Sequence, residues 1–168
     1  MDHHERPNPD TPVHHDAYTW KRGDTWYQLV AGTTGGSRPQ GAAFLWTSKD
    51  LVTWTFEKNI APSIQLGEFW ELPYLIGFAG RDVLFVGHRN PYWVGHYDTE
   101  SLIFTADSEE PKQIDTGAYY SFNFNMTDDH GPAGAARQLM HGWVTGPATP
   151  TPEVPYWQGC HSIPRVIA

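Results

Sequence analysis

Two carboxylates in this sequence combine a residue type and a spacing that could support chemistry. Asp16 precedes an aromatic, strand-like run, and Glu71, 55 residues further on, lies between Trp70 and Leu72. Apolar neighbours should partly desolvate Glu71, and burial disfavours the charged form of a carboxyl, which suits a general acid. Glycoside hydrolysis generally uses two carboxylates that flank the scissile bond. Taken alone, Asp16 is more typical of a turn or a cap, and Glu71 of a surface position at the start of a strand.

The elements that would carry these residues are short β-strands. Helical periodicity is almost absent, and 16 Gly and 14 Pro interrupt the chain every few residues. Runs of aromatic and β-branched residues bounded by Gly, Asp, Asn or Pro predict an all-β fold. Strands are predicted over residues 17–20, 25–31, 42–47, 74–78, 83–86, 93–97, 102–105, 119–125 and 138–144, with hairpin turns at 21–24 and 79–82 and a last strand at 163–168.

These strands repeat at an interval that predicts a propeller. Units open near Asp16, Glu71 and Tyr120, at intervals of 55 and 49 residues. A period near 50 is what a four-stranded propeller blade needs. About three blades fit in the chain, and the three residues are expected at equivalent places on the innermost strands, converging at one mouth of the central channel.

The expected domain organisation is a linker or tail over residues 1–12 and a partial propeller over residues 13–168. An arc of three blades would expose unpaired strand edges at both ends. The sequence therefore predicts either a fragment of a longer protein or a chain that self-associates through its open blade edges.

Composition excludes several classes of partner. The formal net charge of -8 repels phosphate backbones and argues against nucleic acids, whereas a neutral sugar is not repelled. No run approaches the roughly 18 apolar residues of a membrane span, so no membrane partner is expected. Residues 1–10 contain no apolar signal-peptide core, and the single cysteine, Cys160, fits a reducing compartment; together they favour the cytoplasm without fixing the location.

Other reactive residue types have simpler interpretations. His14 and His15 would point to opposite faces of a strand, so the histidine-rich start, which also holds His3 and His4, predicts no metal site. Cys160 beside His161 is expected to be an ordinary strand residue. The Gly-rich run 32–37 lacks the lysine of a phosphate loop. Asp98 and Asp115 are expected in turns, and no cofactor is predicted.

Six motifs follow one another in a recognisable order. They are His15-Asp16-Ala17, similar to Arg-Asp-Pro; Ser48 to Trp54, similar to Ser-x-Asp-Leu-x-x-Trp; Trp70-Glu71-Leu72-Pro73, similar to Trp-Glu-Cys-Pro; Trp93 to Asp98; Asp115 to Ser121; and Trp157 to Arg165. Together they resemble the catalytic propeller of glycoside hydrolase family 32, over about residues 8–167. The resemblance implies a five-bladed β-propeller, of which this chain holds a part, and a β-fructofuranosidase activity on sucrose or fructans.

The resemblance also implies a role for each site residue in a retaining mechanism. Glu71 would be the acid and later the base, and Asp16 would hold ring hydroxyls and stabilise the transition state. His15, in place of the family arginine, and Trp70 and Tyr120 would bind the substrate.

The chain departs from the family pattern at the nucleophile. The family nucleophile is an aspartate in an Asn-Asp-Pro-Asn-Gly motif well upstream of Arg-Asp-Pro, and nothing in these 168 residues matches it. Asn8-Pro9-Asp10 is too close to Asp16. Activity is therefore expected of a longer parent protein. The alternatives are a carbohydrate-binding propeller remnant that lost the nucleophile, an interaction protein on a decayed propeller, and the arabinan- or galactan-cleaving five-bladed enzymes.

Overall fold

The computed structural model describes residues 14–35, 37–86, 90–115, 119–128, 137–145 and 159–167, and every regular element in these ranges is a β-strand. No helix in these ranges is long and apolar enough to cross a bilayer. The strands are β1 (His14–Arg22), β2 (Thr25–Thr33), β3 (Gly41–Ser48), β4 (Trp54–Asn59), β5 (Tyr74–Phe78), β6 (Arg81–Phe85), β7 (Pro91–Asp98), β8 (Ile103–Ala106), β9 (Lys112–Gln113), β10 (Tyr119–Asp128), β11 (Arg137–Val144), β12 (Cys160–His161) and β13 (Arg165–Val166).

The strands form three antiparallel sheets, each made from consecutive segments of the chain. Sheet 1 has the order β1-β2-β3-β4, and sheet 2 has the order β5-β6-β7-β8, with β9 pairing the other half of β7. Sheet 3 joins β10 to β11, and both β12 and β13 pair with β11. The all-β prediction is confirmed, and the three sheets begin where the repeat placed the three units.

The predicted hairpin turns are present, and left-handed backbone marks both. Gly23 joins β1 to β2 with φ of +59°, while Ala79 and Gly80 join β5 to β6 with φ of +50° and +76°. Turns of this handedness match the twist of the strands they connect. Each turn reverses the chain, so that β1 pairs antiparallel with β2, and β5 with β6, in a fixed register.

Aspartates in the family-like motifs stabilise loops. Asp50 Oδ1 accepts hydrogen bonds from the backbone N–H groups of Val52 (2.9 Å) and Thr53 (2.7 Å), and these bonds lower the pKa of its carboxyl. Asp98 accepts in the same way from the N–H of Glu100 at 2.8 Å, so its predicted turn role is confirmed. Such side-chain-to-backbone bonds are the usual reason for Asp in turns.

Asp115 forms an ion pair with Arg165. Its Oδ2 lies 3.0 Å from Nη1 of Arg165, an ion pair between the segment before β10 and strand β13. The pair joins residues 50 positions apart in the chain, so it helps to hold the end of sheet 3 in place.

The middle sheet is buried on both faces. Along β6 and the residue after it, Leu84 and Val86 face sheet 1, while Val83 and Phe85 face sheet 3. Alternate side chains of a strand point to opposite faces, so a run of apolar residues fills two cores at once. The core toward sheet 1 contains Leu29, Ala31, Ala43, Leu45, Ile60, Trp70, Trp93 and Phe104; the core toward sheet 3 contains Tyr74, Ile76, Phe122, Phe124 and Met140.

Three features of the strand pattern were missed or shifted. Strand β4, with the sequence WTFEKN, is largely polar and was not predicted, because an edge strand need not alternate apolar and polar residues. The two-residue strand β9 was not predicted either. The predicted last strand, 163–168, is represented by the two-residue strand β13, and the two-residue strand β12 before it was not predicted. Cys160 lies in β12, where it is free and exposed.

Gly41 is predicted to be indispensable for packing. A Cβ at this position would overlap the indole of Trp70, and the backbone N–H of Gly41 also donates to the carbonyl of Gly67 at 2.9 Å. We expect Gly41→Ala to lower the free energy of unfolding by about 1–3 kcal/mol, as overpacking does. Gly77→Ala is the matched control, since its Cβ would meet only Asp82 Oδ1 at 3.9 Å. Urea denaturation measures the stability of both variants. Equal urea midpoints would contradict the role of Gly41 in packing against Trp70.

The fold is also predicted to lose stability in alkali. Burial raises the pKa of Tyr97 to about 12, with Tyr27 adding to the effect and Arg22 opposing it. Between pH 10 and 12 the unfolded chain would release this proton and the folded chain would keep it, so stability falls as pH rises. Urea midpoints at pH 9 and 11.5 measure the fall. Tyr97→Phe should reduce it, and an unchanged fall in that variant would refute the assignment.

Candidate active site

Asp16 occupies a β-bulge in the first strand of sheet 1. His15 pairs with Ala31 and Tyr18 pairs with Leu29, so β1 uses three steps where β2 uses two. The bulge therefore places Asp16 and Ala17 opposite a single residue. An extra residue of this kind re-aims the side chain beside it, and bulges are common next to active sites.

The backbone of Asp16 is left-handed, with φ of +53°. Few residues other than glycine adopt this conformation, and Asp is one of those that tolerate it. The Asp16 side chain is exposed, so its carboxylate is accessible to a ligand. Local backbone geometry thus presents this group outward from β1 without requiring a partner to hold it there.

Glu71 lies in the segment that leads from sheet 1 into β5. It is half-buried, in agreement with the partial desolvation expected from its neighbours. Leu72 has φ of +45° and is followed by the buried Pro73. A left-handed leucine costs roughly 1–2 kcal/mol, so packing on either side must hold this bend. The bend is what separates the direction of Glu71 from that of β5.

Trp70 anchors this segment in the core. The residue is 1 % exposed, its indole N–H donates to the carbonyl of Leu66 at 2.7 Å, and its ring stacks on Trp93 with centroids 5.9 Å apart. A substrate contact was predicted for this ring, and it stays a prediction. In this structure the ring is buried and its polar atom is bonded within the protein.

The two acidic segments meet through a pair of tyrosines. The ring of Tyr18, two residues after Asp16, lies 5.0 Å from the ring of Tyr74, three residues after Glu71. Burial, the negative charge of Asp16 and Tyr18 together raise the pKa of Tyr74 to about 12. The ring contact therefore joins the segment that follows Asp16 to the start of β5, the strand that Glu71 precedes.

The backbone of β10 repeats the irregularity at the third predicted position. Tyr119 pairs with Val144 and Ser121 with Trp143, so Tyr120 is the extra residue of a bulge near the start of sheet 3. His15 of β1 pairs with Ala31 of β2. The side chains of His15 and Tyr120 lie outside the described part of the structure, and their substrate contacts stay predictions.

The prediction that Asp16, Glu71 and Tyr120 occupy equivalent places on the first strands of the three sheets needs one refinement. Asp16 and Tyr120 are within β1 and β10, whereas Glu71 precedes β5 by three residues. The sequence repeat found the right ends of the sheets because each unit starts with a similar aromatic run. The Leu72–Pro73 bend displaced Glu71 from the strand proper.

Sequence reasoning missed Tyr18 and Tyr74 as part of this region. Their aromatic character was noted only as strand propensity, and nothing local in the sequence indicates that the two rings meet across sheets. The two stand at comparable distances after Asp16 and Glu71, which was the available clue.

A cavity of about 460 Å³ lies behind the Glu71 segment, lined by Leu66, Phe69, Trp70, Val86 and Pro91 among others. Neither Asp16 nor Glu71 lines it. Within the described ranges, no three His, Cys, Asp or Glu residues come together as metal ligands. His3, His4 and Asn8-Pro9-Asp10 lie outside those ranges. The carboxylates of Asp16 and Glu71 are of a type that can act as acid, base or hydroxyl acceptor.

Comparison with known proteins follows the same line. A family model for the N-terminal domain of glycosyl hydrolases family 32 matches residues 3–168. A fructan 6-exohydrolase of Beta vulgaris is 25% identical over 173 residues, covering 88% of this chain and 27% of that protein. The cell wall isozyme of β-fructofuranosidase from Pisum sativum is 23% identical over 177 residues, covering 89% and 31%. The chain thus spans less than a third of the length of these relatives.

Solved structures show the fold. The family 32 β-fructofuranosidase of Bombyx mori superposes with a TM-score of 0.74 at 23% identity, over 95% of this chain and 36% of that one. Fructan 1-exohydrolase IIa of Cichorium intybus, as a variant in complex with 1-kestose, superposes with a TM-score of 0.70 at 20% identity, over 91% and 32%. The prediction of a partial propeller of about three blades is confirmed. Because the family model covers all but the first two residues, the chain belongs to glycosyl hydrolase family 32.

Proposed function

We propose that this chain supplies the acid/base and the transition-state-stabilising carboxylate of a β-fructofuranosidase that acts on sucrose or fructans. One observation carries the proposal: the ring of Tyr18, two residues after the bulged Asp16, contacts the ring of Tyr74, three residues after Glu71. Two carboxylates from neighbouring sheets therefore belong to one region. The activity itself belongs to a longer protein, of which the chain is a part.

The proposed reaction is retaining and uses the two carboxylates differently. Glu71 protonates the leaving glycosidic oxygen as the bond to the fructosyl anomeric carbon breaks, and a nucleophilic carboxylate takes the fructosyl group. Glu71 then removes a proton from the water that releases fructose. Asp16 accepts hydrogen bonds from ring hydroxyls, and these strengthen as positive charge develops on the sugar. The half-buried state of Glu71 and the exposure of Asp16 suit these roles.

The nucleophile comes from outside this chain. Its family motif is absent from the 168 residues, so an upstream segment of the parent protein would provide it. In retaining enzymes the nucleophile and the acid stand roughly 5–5.5 Å apart. The proposal therefore requires that the missing carboxylate reach the region between Asp16 and Glu71.

The substrate class follows from the relatives and from the charge of this chain. A variant of the Bombyx mori enzyme was solved with sucrose, and the Cichorium intybus variant with 1-kestose, both neutral fructosides. A net charge of -8 does not repel such a ligand. His15 and Tyr120 would add contacts to the sugar, while Trp70 would hold Glu71 in position from the core.

A second candidate function is carbohydrate binding without turnover. The missing nucleophile motif favours it, because a chain that keeps Asp16 and Glu71 could hold a fructosyl unit but could not form the covalent intermediate. Calorimetric titration with 1-kestose, combined with an assay for released fructose, separates the two. If the complete gene product binds 1-kestose without releasing fructose, carbohydrate binding replaces hydrolysis as the function.

The roles of the two acids predict different responses to the leaving group. In the complete gene product, Glu71→Gln should lower kcat on sucrose by about 10²–10⁴-fold, the usual contribution of a general acid. On β-fructosyl fluoride, whose leaving group needs no proton, the first step should be nearly unaffected. Asp16→Asn should slow both substrates, because the sugar develops charge in both.

Glu68→Gln is the matched control, since Glu68 is an exposed carboxylate three residues away in the same segment. It should keep the parent rates on both substrates. Release of fructose from sucrose at the parent rate by Glu71→Gln would eliminate Glu71 as the acid. Equal losses of the first-step rate on sucrose and on the fluoride would assign Glu71 a role other than proton donation.

A further inference from the structure

Tyr74 is the point at which all three sheets meet. Its ring contacts Tyr18 of sheet 1 with centroids 5.0 Å apart and Phe124 of sheet 3 with centroids 5.2 Å apart. The residue itself opens β5 of sheet 2 and is 3 % exposed. A side chain held between two other sheets has little freedom, so the backbone that carries it is fixed as well.

Tyr18 is also held on two sides. Its ring stacks on Trp20 at 5.3 Å, and Trp20 stacks in turn on Tyr27 of β2 at 5.5 Å. This aromatic ladder runs along β1 up to the bulge at Asp16. Stacked pairs of this kind contribute roughly 0.5–1.5 kcal/mol beyond their buried area. The ladder therefore fixes the strand immediately after a bulge that is itself in a left-handed conformation.

Tyr18 and Tyr74 stand next to the two carboxylates in the chain. Tyr18 follows Asp16 by two residues, and Tyr74 follows Glu71 by three. Hydrogen bonds between the strands of a sheet cannot set the separation of Asp16 and Glu71, because Asp16 belongs to sheet 1 and Glu71 precedes the first strand of sheet 2. The contact between the two rings therefore links sheets 1 and 2 within three residues of each carboxylate along the chain.

We propose that Tyr18 and Tyr74 are positioning residues of the site described under the proposed function. Their ring contact fixes the bulged Asp16 segment against the segment that follows Glu71, and so sets the separation of the two carboxylates. Neither tyrosine needs to touch the substrate for this role. The inference rests on the proposed function for its catalytic consequence, and on the ring contact for the coupling between the two segments.

The coupling is tested without any assay of activity. Tyrosine labelled with ¹³C at Cζ reports the ionisation of each phenol, and Tyr74→Phe assigns the resonance. Asp16→Asn should lower the pKa of Tyr74 from about 12, because it removes a negative charge that disfavours the phenolate. In a Tyr18→Ala background the same change should have a smaller effect, and in a Tyr18→Phe background the effect should persist.

The catalytic consequence is tested on the complete gene product with sucrose. Loss of the ring in Tyr18→Ala should reduce kcat by roughly ten- to a hundredfold with little change in KM, because misplacement of catalytic groups acts mainly on the reaction step. Tyr18→Phe keeps the ring and should retain most of the activity. This rescue distinguishes positioning of the carboxylates from a contact made by the phenol hydroxyl.

Tyr92→Ala is the matched control for lost stability. Tyr92 also packs on the core between sheets 2 and 3 and stacks on Phe85 at 5.3 Å, but it lies on β7. The Tyr92→Ala variant should have a lower urea midpoint. Its kcat, and the change in the Tyr74 pKa caused by Asp16→Asn, should be the same as in the parent protein. Equal loss of kcat in Tyr92→Ala and Tyr18→Ala would reduce the role of Tyr18 to general stability and overturn the proposal.

Two other outcomes are decisive. The coupling would be overturned if Asp16→Asn left the pKa of Tyr74 unchanged. It would also be overturned if the change in this pKa were the same with and without the Tyr18 ring. If the complete gene product neither binds nor cleaves fructosides, the proposed function fails and the catalytic role of the pair fails with it. The titration would still decide whether the tyrosines couple the two segments.

Discussion

The structure depends on a middle sheet that is buried on both of its faces. Val83 and Phe85 pack toward sheet 3 while Leu84 and Val86 pack toward sheet 1, so one continuous apolar run joins two cores. Each Å² of apolar surface removed from water contributes roughly 25 cal/mol, so both interfaces stabilise the fold. They also set the relative positions of the sheets. Contacts of Tyr74 with Tyr18 and with Phe124 join β5 to β1 and to β10.

Packing of this kind allows irregular backbone at the ends of the strands. Asp16 and Leu72 are both left-handed, at +53° and +45°, and each adjoins a segment that the core holds. The Leu72 bend is supported by the buried Trp70 on one side and by Tyr74 on the other. Unfavourable local conformations persist where the surroundings fix them, and they concentrate at functional sites. The core thus stabilises the geometry that presents both carboxylates.

Much of the fold followed from the sequence because two-residue alternation and turn residues are local properties. The aromatic runs around Tyr18, Leu84 and Trp93 were enough to find most strands, and spacing was enough to find three units. Contacts between sheets were not predictable in this way. The burial of Trp70, the bulge at Asp16 and the meeting of Tyr18 with Tyr74 depend on how faces pack, which the sequence pattern does not encode locally. The polar edge strand β4 was missed because its pairing with β3, rather than its own composition, makes it a strand.

The central claim is that Asp16 and Glu71, carried by different sheets, open onto one sugar. The most direct test is a crystal structure of the Glu71→Gln variant of the complete gene product with sucrose, which the substitution should leave uncleaved. The account predicts one fructosyl unit with its ring hydroxyls within about 2.6–3.2 Å of the Asp16 carboxylate and its glycosidic oxygen at the same distance from the side chain at position 71. A fructosyl unit bound away from Asp16, or side chains at positions 16 and 71 too far apart to contact the same unit, would contradict it.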